Sequence, residues 1–120
     1  MGLDKFYTKP EVAKECYDFL ISKYDIKDKK FLEPSAGNGS FLPFLKDYIA
    51  LDIKPENDDI IEQDFLLYET EIDYFITIGN PPFGQQNTLA IRFFNESAKF
   101  ANTIAFILPL SFKKDSIQNQ

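Results

Sequence analysis

Apolar residues in this chain fall into five short unbroken runs, four of which close on a polar residue or a glycine. Phe31-Leu32 leads into Glu33, Tyr48-Ile49-Ala50-Leu51 into Asp52, and Ile60-Ile61 into Glu62-Gln63-Asp64. Tyr74-Phe75-Ile76-Thr77-Ile78 leads into Gly79-Asn80, and Thr103-Ile104-Ala105-Phe106-Ile107-Leu108 completes the series. Continuous runs without period-two alternation mark parallel strands buried on both faces. Ahead of them, Val12, Ala13, Cys16, Tyr17, Leu20 and Tyr24 recur at helical spacing. Thr8 and Glu11 stand as a capping box for that helix, with Pro10 in the first turn where a missing N–H costs nothing. Two further helices are predicted over 41–47 and 88–101, the second packing Leu89, Ala90, Phe93, Phe94 and Ala98 on the sheet. Strands alternating with helices predict an α/β domain, a mostly parallel sheet with right-handed crossovers. In such sheets ligands bind at the carboxyl ends of the strands, here Glu33, Asp52, Asp64 and Asn80.

The 120 residues make room for one domain over 1–120, with no repeat, low-complexity stretch or linker to divide them. Hydrophobic residues are 44% and charged residues 27%, the balance of a soluble globular chain rather than a disordered one. No apolar run approaches the roughly 18 residues of a membrane span, and MGLDKFYTKP lacks a signal-peptide core, so no membrane association is expected. One cysteine, Cys16, cannot form an intramolecular disulfide and reads as a helix residue turned inward, which fits a cytoplasmic setting. With no histidine, His-based triads, His general bases and the usual zinc sites are excluded, and no metal is expected. Net charge is −6, against a strong autonomous nucleic-acid binder. With the two ends net positive, residues 31–80 carry more than the whole of that charge, two lysines against eleven acids. They form either a solvated acidic face or a field suited to a cationic or hydroxyl-rich small molecule.

Two motifs carry the candidate chemistry. Glu33-Pro34-Ser35-Ala36-Gly37-Asn38-Gly39-Ser40-Phe41 is a glycine loop after a strand. It lacks the third glycine of a dinucleotide fingerprint, since position 42 is Leu42, and it lacks the Gly-Lys-Ser/Thr of a phosphate-binding loop. It is therefore either a tight turn or a cradle for a ligand without a diphosphate. Asp52, at the next strand end, is an acid placed to accept the two hydroxyls of a ribose. The second motif is Gly79-Asn80-Pro81-Pro82-Phe83-Gly84. Two consecutive prolines stiffen the chain and remove two N–H donors, leaving carbonyls and the Asn80 side-chain oxygen as acceptors beside an aromatic ring. Such a group suits a planar amine, although a rigid strand exit with Phe83 in the core has the same sequence.

Taken together, residues 33–41 followed by Asn80-Pro81-Pro82-Phe83 resemble the S-adenosylmethionine-dependent methyltransferases that modify amino groups, above all N6-adenine methyltransferases. Phe6-Tyr7-Thr8-x-Pro10 resembles the segment that precedes the glycine loop in the DNA enzymes, and the order of motifs matches their gamma-type arrangement. The resemblance implies a Rossmann-like class I methyltransferase fold, a mostly parallel sheet flanked by helices. It also implies S-adenosylmethionine as cofactor and the N6 amine of adenine in DNA as acceptor. By that resemblance Glu33, Pro34, Ser35, Ala36, Gly37 and Gly39 hold the methionine part, helped by Tyr7 and Thr8 at its carboxylate or amine. Asp52 takes the ribose, Ile53 lies on the cofactor's adenine, and Asp64 and Phe65 meet that ring, Asp64 accepting from its amine. Asn80 and the Pro81 carbonyl bind the target amine, with Pro82 stiffening the loop and Phe83 stacking on a base flipped out of DNA.

Relatives of this kind usually have seven strands, so the resemblance implies a truncated or minimal core lacking the last two strands and any target-recognition domain. A further domain or a partner chain would then supply recognition, and the open sheet edge favours a homo-oligomer. RNA adenosine and protein glutamine are the alternative acceptors. A non-catalytic domain of the same fold that serves a partner is the reading from another class. Gln85, Gln86 and Asn87 are expected to form a mobile loop over the acceptor.

Overall fold

A computed structural model describes residues 8–82 and 84–107, so Tyr7 and Phe83 lie outside the described residues. Helix α1 (Pro10–Lys23) begins with proline at its first turn, where Lys9 rather than Thr8 is the N-cap. The expected capping box does not form: the Thr8 side chain accepts from Asn80 Nδ2 across the molecule. Ala13, Tyr17 and Leu20 make the buried face of α1, whereas Val12 and Tyr24 are exposed. Cys16 is half-buried, and its desolvation pushes the thiol pKa up, away from a reactive thiolate.

Five strands follow: β1 (Lys30–Glu33), β2 (Asp47–Asp52), β3 (Ile61–Glu62), β4 (Phe75–Gly79) and β5 (Ala101–Phe106). All pair in parallel, in the order β3-β2-β1-β4-β5, with Leu32 aligned to Ile49 on one side and Thr77 on the other. Side chains alternate between the faces of a strand, so neighbouring residues serve different cores. Phe31, Ala50, Ile76 and Ile78 pack with α1 and with Phe41, Leu42 and Leu45. Leu32, Leu51 and Phe75 pack with Phe65, Phe100 and Phe93, the last from helix α2 (Thr88–Ser97). Every residue of β4 is buried, as its unbroken apolar run predicts.

The departures from the sequence pattern have local causes. Residues 41–47 hold only a 3-10 turn (Leu42–Phe44), because the backbone is already extended at Leu45 and β2 starts at Asp47. The third run supplies a two-residue edge strand, both residues exposed, and Asp64 caps the following 3-10 turn (Phe65–Leu67). Helix α2 stops at Ser97 rather than 101, since Phe100 turns inward and its carbonyl accepts from the Phe75 N–H. Of its expected packing face, Phe94 and Ala98 are exposed and Ser97 is buried instead. Among the described residues no helix is long and apolar enough to cross a membrane.

Candidate ligand site at the strand switch point

The chain runs outward from β1 through β2 to β3, then returns to lay β4 on the other side of β1. The crevice opened by this reversal lies at the carboxyl ends of β1 and β4. Both strands end alike, Glu33-Pro34 and Asn80-Pro81, and both prolines are almost wholly buried. A proline after each strand stops the ladder and fixes the exit backbone. A small, open cleft lies there, lined by Thr8, Glu33, Ser35, Ala36, Gly37, Ser40 and Asn80 among others.

Glu33 is the floor of this cleft and is only 2% exposed. Its Oε1 accepts from the Ser35 N–H at 2.9 Å. Burial dominates its ionisation and raises the carboxyl pKa to about 8, against the lowering effect of the Ser35 bond and with a further raise from Asp52. The Ser35 hydroxyl donates to the Asn80 carbonyl at 3.2 Å, tying the exit of β1 to that of β4.

The glycine loop leans on β2. The Ala36 N–H donates to the Leu51 carbonyl and the Gly37 N–H to Asp52 Oδ2, both at 2.8 Å. Asp52 Oδ1 accepts from the Lys54 N–H at 2.8 Å, so one buried carboxylate orders the loop and its own strand exit. Gly37 (φ 59°) and Gly39 (φ 86°) occupy the left-handed region, which explains glycine at both positions. A Cβ on Gly39 would also crowd the Leu42 side chain. Beside Asp52, Ile53 is 47% exposed, an apolar surface at a strand end.

Asn80 has an unusual environment. Its Nδ2 donates to Thr8 Oγ1 at 3.2 Å, whereas its Oδ1 is buried with no hydrogen-bond partner among the described residues. A buried oxygen without a donor costs about 1–3 kcal/mol, a penalty that a ligand N–H would remove. Thr8 is itself held, since its carbonyl lies 2.6 Å from the Ser40 hydroxyl of the glycine loop.

Thus Thr8, Glu33, Ser35, Ala36, Gly37 and Asn80 line one cleft, Asp52 reaches it through Gly37, and Pro34 and Pro81 lie beneath. Pro82 is half-buried at the exit of β4. Asp64 stands exposed, its Oδ1 accepting from the Leu66 N–H. Phe65 corrects an expectation: its ring is 1% exposed and packs on Phe93 and Phe100 at 5.1 and 6.0 Å, so it serves the core rather than a cofactor ring. Ser40 and Phe41 also line the cleft, which the motif as read from sequence did not assign. Gln85–Asn87 forms a 3-10 turn in which Gln86 and Asn87 hold left-handed backbone angles.

No protein-family model and no curated protein matches the sequence. The fold does have a counterpart, the crystal structure of a "putative RNA methyltransferase" from Pyrococcus horikoshii. The match has a TM-score of 0.73 at 18% identity and covers 98% of this chain and 70% of that one. At that identity the likeness is one of fold: a five-stranded parallel sheet flanked by helices, of the methyltransferase-like type.

Proposed function

We propose that this chain is an S-adenosylmethionine-dependent methyltransferase domain that acts on the exocyclic N6 amine of adenine in DNA. The observation that carries the reading is Asn80 Oδ1, an acceptor without a donor at the switch-point cleft. The residues around it fit such a cofactor. A buried carboxyl at Glu33 suits an ammonium group, which would drive it to the charged form. Asp52, a buried carboxylate at the end of β2, would accept from the ribose hydroxyls. Ile53 offers an apolar face for a base, and Asp64 an acceptor for its amine. When bound, the cofactor supplies a methyl group on a positively charged sulfur.

The chain's own part is positioning and electrostatics. The lone pair of an aryl amine is delocalised into its ring, which makes it a poor nucleophile. Asn80 Oδ1 and the Pro81 carbonyl would each accept one amine hydrogen, drawing both out of the ring plane and aiming the lone pair into the cleft. Neither acceptor is a base at neutral pH, so the surplus proton leaves to water. Phe83 would stack on the flipped base. DNA is favoured by Tyr7-Thr8-x-Pro10. RNA is the second reading, favoured by the fold counterpart's description. The acidic segment 31–80 assigns phosphate binding to a further domain or partner chain.

Calorimetric titration with S-adenosylmethionine tests the cofactor, with wild type expected to bind and Asp52→Ala to bind at least about tenfold more weakly. Methyl transfer to adenine-containing duplex DNA, measured against single-stranded RNA, tests the acceptor. Absence of cofactor binding by the folded chain would overturn the reading in favour of a non-catalytic domain.

A further inference from the structure

We infer that Glu33 is a proton-exchange group, holding a proton until the ammonium group of a ligand displaces it. The cleft thereby trades one cation for another, and pH sets its affinity for ligands of that class. The inference rests on the cofactor reading above, which brings an ammonium group to Glu33.

A carboxylate stays charged inside a protein only where a cation or several hydrogen-bond donors replace its lost water. Glu33 has little of either. It is 2% exposed, and its Oε1 accepts from the Ser35 N–H at 2.9 Å. No lysine or arginine forms an ion pair with it among the described residues. The segments around it are neutral: Thr8, Ser35 and Ser40 bring hydroxyls, and β4 brings Gly79 and Asn80. β2 brings Asp52, whose charge opposes ionisation of a second carboxyl. Burial is the main cause, opposed by the Ser35 bond and reinforced by Asp52, and together they put the Glu33 pKa at about 8.

A neutral acid thus lines a cleft that is open to a ligand. An ammonium group brought there supplies both the missing charge and the missing donors. The O–H bond of Glu33 then breaks, its proton passes to solvent, and the ammonium keeps all three hydrogens. A ligand with the same nucleoside but no amine leaves the proton where it is. Each binding event by an amine-bearing ligand must therefore displace a proton, which weakens binding as pH falls.

Calorimetry on the full chain tests this with S-adenosylhomocysteine, which cannot transfer a methyl group, and with 5′-methylthioadenosine, which lacks the amine. Titrations at pH 7 in phosphate and in Tris, buffers of different ionisation enthalpy, count the protons released. S-adenosylhomocysteine should release about one proton and bind about tenfold more tightly at pH 7 than at pH 6. 5′-Methylthioadenosine should release none and bind alike at both. Glu33→Gln keeps an acceptor for the Ser35 N–H but cannot ionise, so it should release no proton with either ligand. If that variant does not fold, the contrast between the two ligands on wild type decides. Binding of S-adenosylhomocysteine without proton release, or with the same release by Glu33→Gln, overturns the inference and leaves the cofactor reading standing. Binding of 5′-methylthioadenosine alone also overturns it, since the amine then finds no place. Binding of neither ligand by the folded chain overturns the cofactor reading itself, and the exchange with it.

Discussion

The carboxyl group of Glu33 lies against the backbone of Gly79, so that a Cβ built on that glycine would sit 2.9 Å from Cδ and 3.0 Å from Oε2. Gly79 has an ordinary negative φ, so space and not backbone conformation requires glycine there. The two central strands thus meet at the cleft with the Glu33 carboxyl filling the space that a side chain at position 79 would take. Gly79→Ala is expected to push the Glu33 carboxyl toward the cleft and to destabilise the fold by about 1–3 kcal/mol, the scale of overpacking at a buried group. A urea unfolding series checks this, and an unchanged midpoint would contradict the packing described.

Ionisation of Glu33 should be visible in stability. Its folded pKa of about 8 lies above the ordinary 4.5, so the folded chain holds a proton that the unfolded chain has released. The sign follows: the contribution is fully present below about pH 4.5 and is lost as pH rises through about 8. Glu33→Gln should remove a slope of up to about 1.4 kcal/mol per pH unit across that window. Thermal melts of both proteins between pH 5 and pH 8.5 measure the difference, which should favour the variant increasingly toward high pH.

Removing the acceptor should separate binding from chemistry. Asn80→Ala is expected to reduce methyl transfer by at least about 100-fold, the scale found when a single oriented polar group is deleted from a reacting centre. The Kd for S-adenosylmethionine should change only a few-fold. Full transfer by the alanine variant would rule out the amine geometry proposed.

Phe65 gives a prediction of the opposite kind. Its ring fills the core between Phe93 and Phe100, so Phe65→Ala should cost about 3–5 kcal/mol. Equilibrium unfolding checks that figure. A cofactor-stacking ring would instead be lost with the fold intact and the cofactor affinity lowered.

What could be read from the sequence follows from how each feature is encoded. β1, β2 and β4 are legible because a strand buried on both faces writes an unbroken apolar run, and Glu33, Asp52 and Asn80 mark where the apolar run ends. Residues 41–47 are not, since Phe41, Leu42, Phe44 and Leu45 show the same spacing in a 3-10 turn as in an α-helix. An aromatic after an acid at a strand exit reads alike whether its ring turns inward, as at Phe65, or outward. Thr8 shows how a correct local pattern can be overridden: the capping box is complete in sequence, but the hydroxyl meets Asn80 instead and Lys9 takes the N-cap. No local rule encodes a partner 72 residues away.

That separation also sets an order of events in folding. Contacts between distant segments carry a loop-closure cost and form after local ones. The glycine loop and its neighbouring strands lie within residues 30–52 and can organise early, whereas Asn80 gains its Thr8 bond only when the first segment docks on an otherwise finished sheet. In a partly folded chain the glycine loop can therefore be ordered while Asn80 is still without its Thr8 partner. The cleft that the proposed transfer requires is thus the last part of the molecule to be completed.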